Sequence, residues 1–282
     1  MVRDRALGAA FVVVPLIVVL AIGGIAITLF VGAIVALGAY EVFRLLRSAG
    51  YPTQPWLGLV YAVAVALAIA IAFESATYPQ LAGSSLLLAA IGLILIAVDA
   101  FTRPDPRDGL AAWMTTVFGA LYVAQLGFVV RLGQIAPVPA AGSPAAVLGP
   151  ERSWVLLLVL GVWAYDTGAY LVGKRFGRAR FLSHISPSKT YAGLVGGLVA
   201  STLVVAVGLW ATGQPVVHAI ALGPLLGLAA QAGDLAESML KRAAGAKDSS
   251  DLIPGHGGVL DRVDSFLFAA PVVTLYVLAL LA

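Results

Sequence analysis

Apolar residues along this chain run in long unbroken stretches rather than alternating with polar ones. From Ala6 to Tyr40, 35 residues pass without a charge. As one helix that run would be about 52 Å long, against a hydrocarbon core of about 30 Å, so it predicts two spans broken at Gly23-Gly24. The second continues past Glu41 to about Arg47. Further apolar runs predict spans at roughly 56–73, 84–101, 110–131, 153–173, 190–211, 217–240 and 263–281, nine in all. In lipid the backbone must satisfy its own hydrogen bonds, so each span should be a helix. The expected fold is an all-α integral membrane protein, a polytopic bundle of about nine transmembrane helices.

Charge then orients the bundle. Of 17 lysines and arginines, all but Arg131 and Arg152 fall on one side if the N-terminus is cytoplasmic. That bias is the positive-inside pattern, and it accounts for the net charge of +3 without invoking nucleic acid. The chain is 61% hydrophobic and only 11% charged, whereas a soluble domain is about 25% charged. It has no cysteine, which excludes disulfides, thiolate metal sites and thiol nucleophiles. No small-residue cleavage site ends a short apolar core at the N-terminus, so the first span is expected to be retained. The Pro-, Ala- and Gly-rich segment from Gly133 to Ser153 reads as a flexible outer connector.

Polar residues divide the chain in two. Residues 1–150 are about five plain spans with short charged ends, and residues 151–282 are about four spans with polar residues inside and between them. The chemistry is expected in the second region. Asp261 and Asp264 are three residues apart where the last span begins, so a helix places both carboxylates on one face. Two such carboxylates repel unless a cation or proton intervenes, and Mg²⁺ suits them because it takes oxygen ligands and shares them with phosphates. Ordinary helix N-terminal acids are the plainer explanation. Asp234, Glu237, Ser238 and Lys241 form one polar stripe on the preceding span, with Asp234 expected below the interface, where ionisable residues default to function. An internal Glu237–Lys241 pair would explain part of that stripe. Asp166 lies about two turns inside another span, on a face with Ala169, Tyr170 and Gly173 that is otherwise suited to close packing.

Between these spans runs the basic segment Lys174–Lys189, ending in Ser186-Pro187-Ser188-Lys189-Thr190 at the start of a helix. Lysine, hydroxyls and free N–H groups together make an anion site, and the flanking arginines would attract anionic lipid or simply set topology. His256 lies among Gly255, Gly257 and Gly258, which let the backbone approach a ligand closely. Glu41 is expected to pair with Arg44, and Asp99 sits near a helix end beside Arg103; both read as structural. All four clusters fall at cytoplasmic ends, unlike a transporter, whose polar groups sit near the midplane.

The run Ser238-Met-Leu-Lys241-Arg242, then Lys247-Asp248, then Pro254-Gly-His256-Gly-Gly-Val-Leu-Asp261-Arg262-Val-Asp264 resembles the signature of the phosphatidate cytidylyltransferase (CDP-diacylglycerol synthase) family. Asp166-Thr-Gly-Ala-Tyr170, Ser186-Pro-Ser-Lys189-Thr190 and Gly233-Asp234-Leu-Ala-Glu237 are similar to other segments of that family. Together they cover most of residues 160–265. One departure is Ala192, where the family often carries glutamate. The resemblance implies that CTP and phosphatidate give CDP-diacylglycerol and pyrophosphate, for phospholipid biosynthesis, in a bacterial-type inner membrane with the site facing the cytoplasm. It implies one or two Mg²⁺, with a monovalent cation allowed, on Asp166, Asp234, Asp261 and Asp264. Lys241, Arg262, Asp261 and Asp264 would be catalytic. Lys189, Ser186, Thr190, Ser238, Arg242, Lys247, Asp248 and His256 would bind substrate. A related kinase or transferase acting on a polyprenol or ether lipid, and a cation-coupled transporter using Asp166 and Asp234, are the alternatives. Gly193, Gly196 and Gly197 allow helix association within one chain or in a homodimer.

Overall fold

The computed structural model describes residues 13–71, 79–253 and 257–281. Among them there is no β-strand, only isolated bridges, and ten α-helices carry the chain. Seven stretches are long and apolar enough to cross a membrane, and two shorter apolar helices, α1 (Val13–Ile22) and α3 (Pro55–Ile71), occupy the remaining predicted positions. The protein is a polytopic, all-α integral membrane protein.

The first long run breaks where its length requires. Helix α1 stops at Ile22, Gly23 and Gly24 take φ of 74° and 53°, and α2 (Ile25–Ser48) begins. Both values lie in the left-handed region that glycine enters without steric cost. Then come α4 (Pro79–Phe101) and α5 (Pro106–Ala124), the latter started by Pro106 and by the Asp105 carboxylate accepting from the Arg107 amide at 2.8 Å. The fifth predicted span is interrupted, because α6 (Gly127–Ile135) restarts after a turn. At that point Gly127 meets the Ala66 backbone so closely that a Cβ has no room. Arg103 pairs with Asp108 at 2.6 Å.

The second half of the chain holds α7 (Gly149–Phe176), α8 (Tyr191–Thr212), α9 (Ala219–Ala243) and α10 (Leu260–Leu280). Two compact units result: residues up to Phe128 with Met239–Val263, and Val129–Ser238 with Asp264–Ala282. They interleave along the chain, whereas the change in polar content near residue 150 is a change of chemistry.

In the first unit α2, α3, α4 and α5 pack around Val35, Ala39, Val42, Phe43 and Tyr61, all buried. In the second, α7 and α8 approach backbone to backbone. Gly196 lies against Gly168 and Val172, Gly197 against Tyr165, and Gly193 against the Ala169 carbonyl. These glycines therefore serve a contact within the chain. The 133–153 segment is tied down rather than loose: the Ala140 and Ala145 amides donate to the Thr212 and Ala211 carbonyls, each at 2.9 Å. The last carbonyls of a helix lack intrahelical partners, and this segment supplies donors.

Adding a side chain at the α7–α8 crossing should be costly. A Cβ at Gly168 would lie 2.6 Å from the Ala200 Cβ and 2.7 Å from the Gly196 carbonyl oxygen. Gly168→Val should destabilise by about 1–3 kcal/mol through overpacking. Gly32→Ala, with no atom near its added Cβ, should not destabilise. Thermal unfolding in detergent checks both.

Candidate active site

Charged side chains gather in two clusters, one in each unit. The first surrounds the start of α10. Asp261 receives Lys241 Nζ on Oδ1 at 2.6 Å. Its Oδ2 accepts from the Ser249 amide, the Ser249 hydroxyl and the Gly258 amide, each at 2.8 Å. The acid thus reaches back over the turn before its own helix, as capping carboxylates do, while the salt bridge joins α9 to α10 across the intervening segment. Gly257 takes φ of 77°, and a Cβ there would lie 2.7 Å from Asp261 Oδ2. That close wrapping explains the need for glycine at this position.

Glu41 of α2 is the other half of this cluster, and it is fully buried. Its Oε1 accepts from the Val259 amide at 3.0 Å and from the Ser250 hydroxyl. Its Oε2 accepts from the Leu260 amide at 2.7 Å and the Ser249 hydroxyl at 3.0 Å. Amides at a helix start are unpartnered and carry partial positive charge, so a carboxylate is favoured there. The expected pairing of Glu41 with Arg44 gives way to these contacts, and Arg44 donates to the Ser249 carbonyl at 3.2 Å. Sequence spacing could not reveal this, since the partners lie 208 to 219 residues away. Arg242, Lys247, Asp248 and Arg262 are exposed around the cluster, Arg242 donating to the Ala246 carbonyl at 3.1 Å. His256, Pro254 and Gly255 lie outside the described residues.

The second cluster joins α7, α8, α9 and α10. Lys189, just before α8, forms an ion pair with Asp234 Oδ2, while the Ser238 hydroxyl reaches Asp234 Oδ1 at 3.3 Å, one helical turn on. Thr190 caps α8 by accepting from the Gly193 amide at 3.1 Å, and Ser186 is buried in the turn before it, where its carbonyl accepts from the Lys189 amide. Asp166 lies in the electrostatic field of Asp264, Lys189 and Asp234. Helices α9 and α10 meet where Gly233 touches the Asp264 carbonyl, leaving no space for a Cβ. The Asp264 carboxylate accepts from the Ser265 amide at 2.6 Å. Tyr165, buried beside Asp166, donates to Gln231 Oε1 at 2.8 Å, one turn before Asp234.

The four carboxylates expected at a metal are thus divided. Asp261 is occupied by a lysine, two amides and a hydroxyl in the first cluster. Asp166, Asp234 and Asp264 share the second with Lys189. Carboxylate oxygens are donors of the type a hard divalent cation takes. Among the described residues no group of three or more His, Cys, Asp or Glu is already placed as a metal cage. The fit to Mg²⁺ is one of donor type.

Residues 3–280 match the model of the cytidylyltransferase family. The chain is 38% identical over 251 residues to a phosphatidate cytidylyltransferase of Pseudomonas aeruginosa, covering 86% of this chain and 84% of that relative. It is 38% identical over 267 residues to phosphatidate cytidylyltransferase 5, chloroplastic, of Arabidopsis thaliana, covering 87% of this chain and 64% of the relative. It is 51% identical over 122 residues to a phosphatidate cytidylyltransferase of Synechocystis sp., a match over 43% of this chain and 41% of the relative. The chain thus spans less than two thirds of the length of the latter two.

Asp261→Asn should loosen the segment it wraps, because an amide nitrogen would face donors on one side. Amide exchange at Ser249 and Gly258 should quicken roughly tenfold or more, the loss expected when a charge-assisted acceptor is removed. Hydrogen-exchange mass spectrometry of the 247–260 peptide measures it.

Proposed function

The chain belongs to the cytidylyltransferase family, and from that premise we propose that it transfers the cytidylyl group of CTP to phosphatidate, giving CDP-diacylglycerol and pyrophosphate. The observation that carries this reading is the Lys189–Asp234 ion pair at the capped start of α8, set beside Asp166 and Asp264. A lysine at a helix N-terminus is built to receive phosphate. Carboxylates beside it suit the cation that accompanies a triphosphate.

In this reaction a phosphatidate oxygen attacks the α-phosphorus of CTP, and the bond from that phosphorus to the β-phosphate's bridging oxygen breaks. The attacking phosphate is already ionised at neutral pH, so no strong base is required. The barrier lies in bringing a dianion to a triphosphate, which calls for charge neutralisation and alignment. Lys189 in one unit and Lys241 in the other would each offer a phosphate a positive charge held by a carboxylate, and Arg242, Lys247 and Arg262 would offer theirs from exposed positions. Lys241 is held by Asp261 in one orientation, which reduces the reorganisation it undergoes when phosphate arrives. Ser238 and Thr190 supply hydroxyls, and Ser186 shapes the turn that presents Lys189. Mg²⁺, when bound by Asp166, Asp234 and Asp264, would offset charge on the triphosphate and the leaving pyrophosphate. The active face would lie on the cytoplasmic side of a bacterial-type inner membrane, since all basic residues but Arg131 and Arg152 collect there.

Purified protein with Mg²⁺, cytidine-labelled CTP and phosphatidate should form a labelled lipid. Parallel incubations should not label a polyprenol or an archaeal-type ether lipid. Label on one of those alone, or none with phosphatidate, would remove the reading. Asp264→Asn should abolish turnover while inserting normally into the membrane; near-wild-type rates would take Asp264 out of the site. Because the chain lacks cysteine, Arg178→Cys and Val147→Cys report sidedness directly. A membrane-impermeant maleimide should reach residue 147 from outside and residue 178 only after permeabilisation.

A further inference from the structure

We infer that Glu41, on α2 and outside every motif of the second half, is a positioning residue for nucleotide binding, holding Ser249, Ser250 and the start of α10 in their working arrangement. The inference rests on the proposed use of CTP.

Among the described residues, the donors to the Glu41 carboxylate come from one short stretch: the hydroxyls of Ser249 and Ser250 and the amides of Val259 and Leu260. The packing of α2 is the work of other residues, among them Val35, Ala39, Val42 and Phe43. The carboxylate therefore acts on the segment that carries Asp261 and Arg262, and little on the bundle around it. A buried charge is tolerated only where donors surround it, and here each oxygen accepts from a backbone amide and faces a serine hydroxyl, Ser249 sharing its one proton between Glu41 and Asp261. The contact is also close in space, since a Cβ at Gly258 would collide with Ser249 Oγ and Glu41 Oε1.

Ser249 joins Glu41 to the lysine-bearing side of the cluster. Its hydroxyl has a single proton yet lies 3.0 Å from Glu41 Oε2 and 2.8 Å from Asp261 Oδ2. Its amide also donates to Asp261, and Asp261 in turn holds Lys241. The chain of contacts runs Glu41, Ser249, Asp261, Lys241. A change at Glu41 thus reaches a phosphate-binding lysine without Glu41 touching substrate.

Glu41→Gln is a sharp probe because it keeps the shape of the side chain. Whichever way the amide points, its NH₂ faces a backbone amide, which can only donate, so that bond is lost even where the neighbouring serine hydroxyl turns to accept. In full-length protein, KM for CTP should rise roughly tenfold, as expected for the loss of a charge-assisted contact. KM for phosphatidate should stay within about twofold, a split that general destabilisation would not produce. Glu41→Asp, which keeps the charge, should recover part of the loss. Ser250→Ala removes one donor with less disturbance and should raise KM for CTP roughly threefold; it carries the test if Glu41→Gln does not fold. An active wild type with KM for CTP unchanged in the folded variants overturns the role of Glu41 and leaves the functional reading intact. A wild type that makes no cytidylylated lipid overturns both.

Discussion

A carboxylate removed from water must be surrounded by donors, and in this chain that requirement decides where the polar segments lie. An uncompensated buried charge costs several kcal/mol, whereas each charge-assisted hydrogen bond returns about 1.5–3 kcal/mol. Glu41 is fully buried on a helix made largely of apolar residues. It is stable there because the segment between α9 and α10 brings two hydroxyls and two amides to it. Asp261 applies the same rule from the other side, with two amides, a hydroxyl and a lysine. The polar segment is consequently a braced element, and its backbone is drawn so tightly around both acids that Gly257 and Gly258 leave no room for side chains.

That bracing connects to chemistry through the lysines. Lys241 and Lys189 each rest on a carboxylate, Asp261 and Asp234. An ammonium held this way keeps its direction and gains a stronger partner when a phosphate dianion arrives. The carboxylate it shares is a suitable ligand for the cation that a triphosphate brings. In each pair an ammonium and a carboxylate are held together, and the proposed transfer would need groups of both signs to offset the repulsion between two phosphates.

The fold was legible because its governing length is physical. A run of 35 uncharged residues cannot be one span, and the break at Gly23-Gly24 follows. The faces of single helices were equally open to reading, as with the stripe on α9 that sets Ser238 one turn from Asp234. Contacts between distant segments were not. The pairing of Glu41 with Ser249 and Leu260 depends on which helix lies beside which, and apolar periodicity carries no such information. Spacing suggested Arg44 for Glu41, because local pairs are all that spacing can offer. The 133–153 segment looked loose by composition, yet its amides were needed by the last carbonyls of α8. The polar stripe on α9 named Asp234, Glu237, Ser238 and Lys241 as one face, but it could not show that Asp234 meets a lysine from before α8, and Lys241 an acid from α10.

The account stands on the claim that the α-phosphate of CTP, with its cytidine, moves onto a lipid phosphate. The most direct measurement follows two labels in parallel, CTP carrying ³²P at the α-position and CTP carrying it at the γ-position, with phosphatidate and Mg²⁺. Nucleotidyl transfer predicts α-label in the lipid fraction and γ-label released as pyrophosphate. Label from the γ-position in the lipid fraction, with the α-label left in soluble CDP, would mean phosphorylation of the lipid and would contradict the account.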